Sequence, residues 1–264
     1  MKMADHTFDT VVDQMAGRGV ERTSLFLMNE PLLDRRIERF TAQLKGRDPD
    51  TAALLYTNGL LLSERRARGL AEAGLDEVNV SINGFDRQQH DRVMQGVDFH
   101  RVMENLRQVG RLVRGGHLET MRIRVVSLDL PGVREASDRF REETGFDVYL
   151  KPVTNRAGLI RTSRWTTAGE AAGPRRVCQR PFVKAYVLYN GDMVLCNCDW
   201  MRSTVIGNVN RSSLEDLWTG PRMMEIRRAL LKDEHPRESP CAACDYPSLI
   251  RAPGATPGVV GGVK

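Results

Sequence analysis

Residues 51–82 read TAALLYTNGLLLSERRARGLAEAGLDEVNVSI. Two short runs, 52–57 and 77–82, are built of apolar, β-branched and aromatic residues and flank a charged amphipathic stretch at 63–73. Runs of that make-up suit buried strands, and the stretch between them suits a helix. Strand, helix and strand with short joins form the unit of a parallel sheet, whose crossovers are right-handed and whose helices cover it.

The alternation continues on both sides. Upstream, helix-spaced apolar residues run from Phe8 to Met15 and stop at Gly17 and Gly19. A strand is expected over Ser24 to Met28 and a helix over Leu33 to Leu44. Downstream the pattern gives helix 99–114, strand 121–127, helix 132–144 and strand 147–153. An open doubly wound sheet and an α/β barrel both fit, and both place their sites at the C-terminal strand ends.

After residue 154 the texture changes. Segment 155–177, rich in Gly, Arg, Thr and Ala, reads as a connector. Runs 184–189 and 192–196 surround Asn190-Gly191, a strong hairpin signal, and helices are expected at 213–218 and 221–231. The tail from Ala252 is rich in Gly and Pro and reads as disordered. The expected division is an α/β domain at 1–154, the connector, a small α+β domain at 178–248 and a tail at 249–264.

The 264-residue chain is 41% hydrophobic and 28% charged, as soluble globular proteins are. No apolar run is long enough to span a membrane, and the N-terminus lacks the features of a signal peptide, so a cytoplasmic protein is expected. The net charge of +5 comes from arginines spread along helices such as 64–68 and 222–228, which reads as solvated helix faces rather than a nucleic-acid footprint.

All five cysteines lie between residues 178 and 244. Cys178 is followed by twelve residues, Gly191, four residues and Cys196; 44 residues later comes Cys241-Ala-Ala-Cys244. A hairpin can bring Cys178 and Cys196 together, and the C-x-x-C pair can close the site from another loop. Four reduced thiolates suit a tetrahedral zinc or a [4Fe–4S] cubane. Cys198 reads as a spare thiol that is able to substitute for Cys196.

These cysteines, with Ile206-Gly207-Asn208, the Leu214-Glu215-Asp216-Leu217-Trp218 helix start and the helix around Arg227, resemble the SPASM/twitch branch of the radical S-adenosylmethionine superfamily. The first half agrees. Asn29-Glu30-Pro31-Leu32-Leu33-Asp34 resembles the family's Gly-Gly-Glu-Pro element, and Thr57-Asn58-Gly59, the strand Val78 to Ile82 with Asn83-Gly84, and Val153 with Asn155-Arg156-Ala157-Gly158 fall in the family's order.

The resemblance implies a partial (β/α)6 barrel lacking its first strand and cluster loop, followed by a twitch domain with a β-hairpin. It implies that Asn29, Glu30, Pro31, Asn58, Ser81, Asn83 and Val153 hold S-adenosyl-L-methionine, with Glu30 on its ammonium and Ser81 and Asn83 near its ribose. It also implies that Cys178, Cys196, Cys241 and Cys244 hold an auxiliary [4Fe–4S] cluster, and that Arg161 is a candidate for orienting a substrate. The C-x3-C-x2-C that binds a catalytic [4Fe–4S] cluster in the family is absent from these residues; it is expected shortly upstream of Met1. His6, His90, His100, His117 and His235 receive no role.

The expected reaction is hydrogen abstraction by a 5′-deoxyadenosyl radical from a small polar sugar, aminocyclitol or nucleoside, with a flavodoxin- or ferredoxin-type electron donor. Peptide maturation, a cluster-bearing electron carrier without radical chemistry, and a structural zinc protein are the alternatives.

Overall fold

The computed structural model describes residues 2–161 and 177–245. Five strands, β1 (Arg22–Ser24), β2 (Ala52–Thr57), β3 (Glu77–Ser81), β4 (Arg122–Leu128) and β5 (Asp147–Lys151), lie parallel in sequence order. Helices α1 (Asp5–Met15), α2 (Ile37–Arg47), α3 (Glu64–Glu72), α4 (Arg87–Val93), α5 (Phe99–Arg114) and α6 (Val133–Thr144) accompany them. A doubly wound sheet reverses its order at a switch point, and this one does not. With right-handed crossovers throughout, the helices collect on one face and leave the other bare, as in part of an α/β barrel.

Strand alternation separates the two faces. Ala53, Leu55, Val78, Val80, Ile123, Val125 and Val148 face the helices and pack with Phe8, Phe40, Leu106 and Phe140. Opposite them, Tyr56, Asn79, Arg124 and Asp147 stand in register across four strands, and Ser81, Val126 and Tyr149 form the next row up. The bare face is therefore polar. Near its base, Glu77 pairs with Arg22 at 2.9 Å and Arg124 at 3.5 Å, and Arg124 pairs with Asp147 at 3.0 Å. Burial pushes the Glu77 carboxyl up, but Asn79, Arg22 and Arg124 more than reverse this and hold it below the usual range.

Two expected elements are corrected near the start. The strand expected over Ser24 to Met28 is Arg22–Ser24, and the chain leaves the sheet after Leu25 donates to the Leu54 carbonyl at 2.9 Å. Phe26 instead leans on Tyr56, with ring centroids 5.7 Å apart. The helix expected from Leu33 begins at Ile37, because Pro31–Leu33 form a 3-10 turn and Asp34 breaks the path. The Asp34 carboxylate accepts from Arg36 through the backbone at 3.1 Å and the guanidinium at 2.8 Å.

Arg36 holds the Asp34 carboxyl at about 2, against an ordinary 3.8. The folded value is the lower one, so the contribution is complete above pH 4 and is lost as pH falls through 2. Asp34→Asn is expected to cost about 2 kcal/mol at neutral pH and to flatten the acid-unfolding curve over that window, read by circular dichroism.

The second unit contains α7 (Arg180–Val183), β6 (Tyr186–Val187), β7 (Asp192–Val194), β8 (Val205–Asn208), α8 (Leu214–Thr219) and α9 (Pro221–Leu231). Its three strands form an antiparallel sheet in the order β6-β7-β8. Gly191 turns the expected hairpin with φ +87°, a conformation that a side chain disfavours. The strands are shorter than runs 184–189 and 192–196, and the β7–β8 register shifts between Met193 and Val194, beyond which Leu195 donates to the Thr204 carbonyl at 3.1 Å. Arg227 donates to the carbonyls of Pro181 at 2.8 Å and Trp218 at 2.7 Å, joining α7 to α8. The unit docks on α1 through the Arg18–Glu215 ion pair and the Leu214 amide, which donates to Gln14. Among the described residues no helix is long and apolar enough to cross a membrane. The tail from Ala252 lies outside the described residues.

Candidate active site

The C-terminal ends of β1 and β2 are tied by one carboxylate. Glu30 precedes the 3-10 turn, and its Oε1 accepts from the Leu32 amide at 3.0 Å and the Thr57 hydroxyl at 2.7 Å. Its Oε2 accepts from the Asn58 amide at 2.8 Å. A carboxylate offers about four acceptor positions, so three donors fix it and leave room for one more. Pro31, at the first turn position, is buried beneath it, and Asn58 accepts from the Leu60 amide at 3.0 Å.

Beyond β3, Asn83 has φ 49° and is buried. Its Nδ2 meets the Met94 sulfur at 3.0 Å, while its Oδ1 is buried with no partner. That orphan acceptor at a strand end suits a hydroxyl donor such as a ribose, and the spare position on Glu30 suits an ammonium. The donor set fits S-adenosyl-L-methionine. Ser81 and Val153 are half-buried at their strand exits, and Asn29 is exposed, accepting from the Leu27 amide at 3.4 Å. Arg161 is exposed and is gathered into neither group. His90 is fully buried against Phe99, with ring centroids 5.2 Å apart.

The cysteines assemble from three segments. Cys241 lies in the 3-10 turn Pro240–Ala243, its amide donating to Ser239 Oγ at 3.3 Å. Burial pushes the Cys241 thiol up to about 11 despite that bond, and the neighbouring Cys178, Cys244 and Asp199 add to the effect. Cys196 feels Cys198 and Cys241, and Tyr186 feels Cys178, Cys196 and Cys198. All five thiols thus share one electrostatic neighbourhood. Among the described residues no three such side chains converge to hold a single ion. In a cubane each thiolate binds its own iron, so its ligands surround a volume rather than a point.

Three residues here were not singled out from sequence. The Arg180 guanidinium donates to Cys198 Sγ at 3.1 Å. Cys196 first, and Arg180 after it, hold the Cys198 thiol down against its burial. Asp199 is buried and accepts from Ser203 N at 2.8 Å, Ser203 Oγ at 2.8 Å and Thr204 N at 2.9 Å, which fixes the loop carrying Cys196. Asp199→Ala strands those donors and is expected to cost roughly 2–4 kcal/mol, measured by urea unfolding. Lys151, the last residue of β5, is the third.

Two family models match the chain: "Radical SAM superfamily" over residues 4–126 and "Iron-sulfur cluster-binding domain", the SPASM family, over residues 178–245. Residues 4–126 belong to the radical SAM superfamily and residues 178–245 to the SPASM family. The two domains imply S-adenosyl-L-methionine and [4Fe–4S] cofactors, the catalytic cluster requiring the C-x3-C-x2-C that these residues lack. Among the chain's relatives is the S-adenosyl-L-methionine-dependent 2-deoxy-scyllo-inosamine dehydrogenase of Niallia circulans, 22% identical over 92% of this chain and 80% of that protein. The GTP 3′,8-cyclase of Mycolicibacterium smegmatis is 30% identical over 44% of this chain and 31% of that protein.

Among solved structures, BtrN in complex with AdoMet and 2-DOIA has the same fold, with TM-score 0.65, 22% identity, and 92% of this chain and 80% of that one covered. Streptococcus suis SuiB bound to its precursor peptide SuiA also reaches TM-score 0.65, at 14% identity over 91% of this chain and 62% of that one.

Proposed function

We propose that this radical SAM enzyme oxidises a carbinol of a small polar molecule of the aminocyclitol or sugar type. The observation that carries the reading is the likeness to an aminocyclitol dehydrogenase through both domains, over 92% of the chain. The sheet face without helices supports it, because the exposed Tyr56 and Tyr149 offer hydroxyl groups there to a polyhydroxylated ligand.

S-adenosyl-L-methionine, when bound and reductively cleaved, supplies the radical that removes the hydrogen atom. The residues proposed to position it are Glu30, accepting from its ammonium, Asn83 Oδ1 and Ser81 toward its ribose, and Asn29, Pro31, Asn58 and Val153 along the strand ends. Cys178, Cys196, Cys241 and Cys244 are proposed to hold the auxiliary cluster, and Arg161 to approach the substrate. Reductive cleavage consumes an electron, for which an external donor of flavodoxin or ferredoxin type is proposed.

Carbinol-deuterated 2-deoxy-scyllo-inosamine, given to the reduced holoenzyme with the cofactor, is expected to pass deuterium into 5′-deoxyadenosine and to yield ketone. Unlabelled 5′-deoxyadenosine and no ketone would reject the aminocyclitol. Peptide maturation is the second reading, supported by the fold shared with peptide-bound SuiB.

A further inference from the structure

We propose that Lys151 is the group that takes the proton from the substrate carbinol, an inference that rests on the alcohol-oxidation reading above. Lys151 ends β5 and lies opposite Leu128 of β4. Alternation along β5 puts it on the same face as Tyr149, while Val148 and Leu150 pack into the helix-side core. It therefore stands at the rim of the polar face, on the edge where Glu30, Asn58 and Ser81 also end. Arg156, five residues on, is within electrostatic reach of both Lys151 and Cys198.

Among the described residues no carboxylate lies within ion-pair distance of Lys151. On β4 the Asp129 amide donates to the Lys151 carbonyl at 2.8 Å, but the Asp129 carboxylate is taken by Arg134. Asp147, lower on β5, is taken by Arg124 at 3.0 Å. The cationic Arg156 acts on Lys151 as well. Burial first, and Arg156 second, bring the Lys151 ammonium down to about 8 from 10.5. A lysine that only lent its aliphatic stem to packing would keep its ammonium in water or against a carboxylate. A half-buried strand-end amine that gives up its proton near pH 8 can instead serve as a general base at mildly alkaline pH.

The step balances. The substrate carbinol carbon loses its hydrogen atom to the cofactor-derived radical, giving 5′-deoxyadenosine. The substrate radical then loses its hydroxyl proton to Lys151 Nζ and one electron to an iron–sulfur cluster, and a C=O bond forms. The products are a ketone, a lysine ammonium and a cluster reduced by one electron.

Two measurements test this. Competitive labelling of the whole chain with acetic anhydride, read on the Lys151 peptide by mass spectrometry, is expected to show a midpoint near 8; a midpoint at the ordinary 10.5 overturns the proposal. In the holoenzyme with carbinol-deuterated 2-deoxy-scyllo-inosamine, Lys151→Met is expected to keep deuterium transfer into 5′-deoxyadenosine. Ketone should fall about 100-fold and lose its pH limb. Lys151→Arg should behave alike, since a guanidinium stays charged. Deuterium transfer with a normal ketone yield in Lys151→Met overturns the role of Lys151 alone. No transfer in the native enzyme overturns the aminocyclitol reading, and the role with it.

Discussion

Reconstituted anaerobically, the chain is expected to turn brown and to hold about four iron and four sulfide per molecule through its C-terminal cysteines, and Cys241→Ala is expected to lose most of both. Cys241 is half-buried in a short turn that Ser239 caps, among Cys178, Cys244 and Asp199, so no other thiol occupies its place. Cys198→Ala separates the ligands from their surroundings. Its thiol is engaged by Arg180, and the variant is expected to keep its iron. Iron and sulfide assays with optical and electron paramagnetic resonance spectra decide the matter. A colourless protein carrying one zinc would falsify the assignment.

Glu30→Ala is expected to act twice. It removes the acceptor proposed for the cofactor ammonium, a charge-assisted bond worth about 1.5–3 kcal/mol, or roughly 10- to 150-fold in affinity. It also strands the Leu32 and Asn58 amides and the Thr57 hydroxyl, so the fold should lose roughly 2–3 kcal/mol. Glu30→Gln separates the effects, because it retains the size and one acceptor oxygen while removing the charge. Equilibrium binding of S-adenosyl-L-methionine to cluster-loaded protein, beside a urea titration, gives both numbers. Unchanged affinity in folded Glu30→Gln would leave the carboxylate with only its joining role.

The parts of this molecule that repeat, or that need rare residues, were the parts legible in its sequence. β2, α5 and α9 fall on the expected residues because burial imposes their periods of two and 3.6 directly. The cysteine spacing was legible because it follows the pattern of the SPASM family, whose model matches residues 178–245. Phe26 and Met28 misled for a physical reason. They are apolar but cover the strand ends from a loop, and composition cannot distinguish a strand from a loop packed over one. Asp199, Arg180 and Lys151 escaped notice because each owes its role to neighbours distant in the chain or to burial. A lysine ending a strand reads as an ordinary solvated terminus until its burial is seen.

Asn155 and the C-x-x-C loop hold each other at short range. The Asn155 amide donates to both oxygens of Asp245 at 2.8 Å, its side chain donates to the Ala243 carbonyl at 2.7 Å, and the Asp245 amide returns a bond to Asn155 Oδ1 at 3.3 Å. A Cβ on Gly158 would sit 2.9 Å from that of Ala243, so the two segments also touch closely. The first of them continues β5, and the second carries two of the proposed cluster ligands. Iron loading and the order of the barrel's exit thereby become a single linked equilibrium. Metal that fastens Cys241 and Cys244 also fastens Asn155, and through it the approach to Val153 and Lys151; by reciprocity, whatever steadies that rim tightens the hold on iron. Amide hydrogen exchange over residues 152–161 should then slow when the cluster engages Cys241 and Cys244, beside Asp245, which stands 90 residues from Asn155 in the chain, and the retention of iron should report on ligands bound at the other end of the clasp.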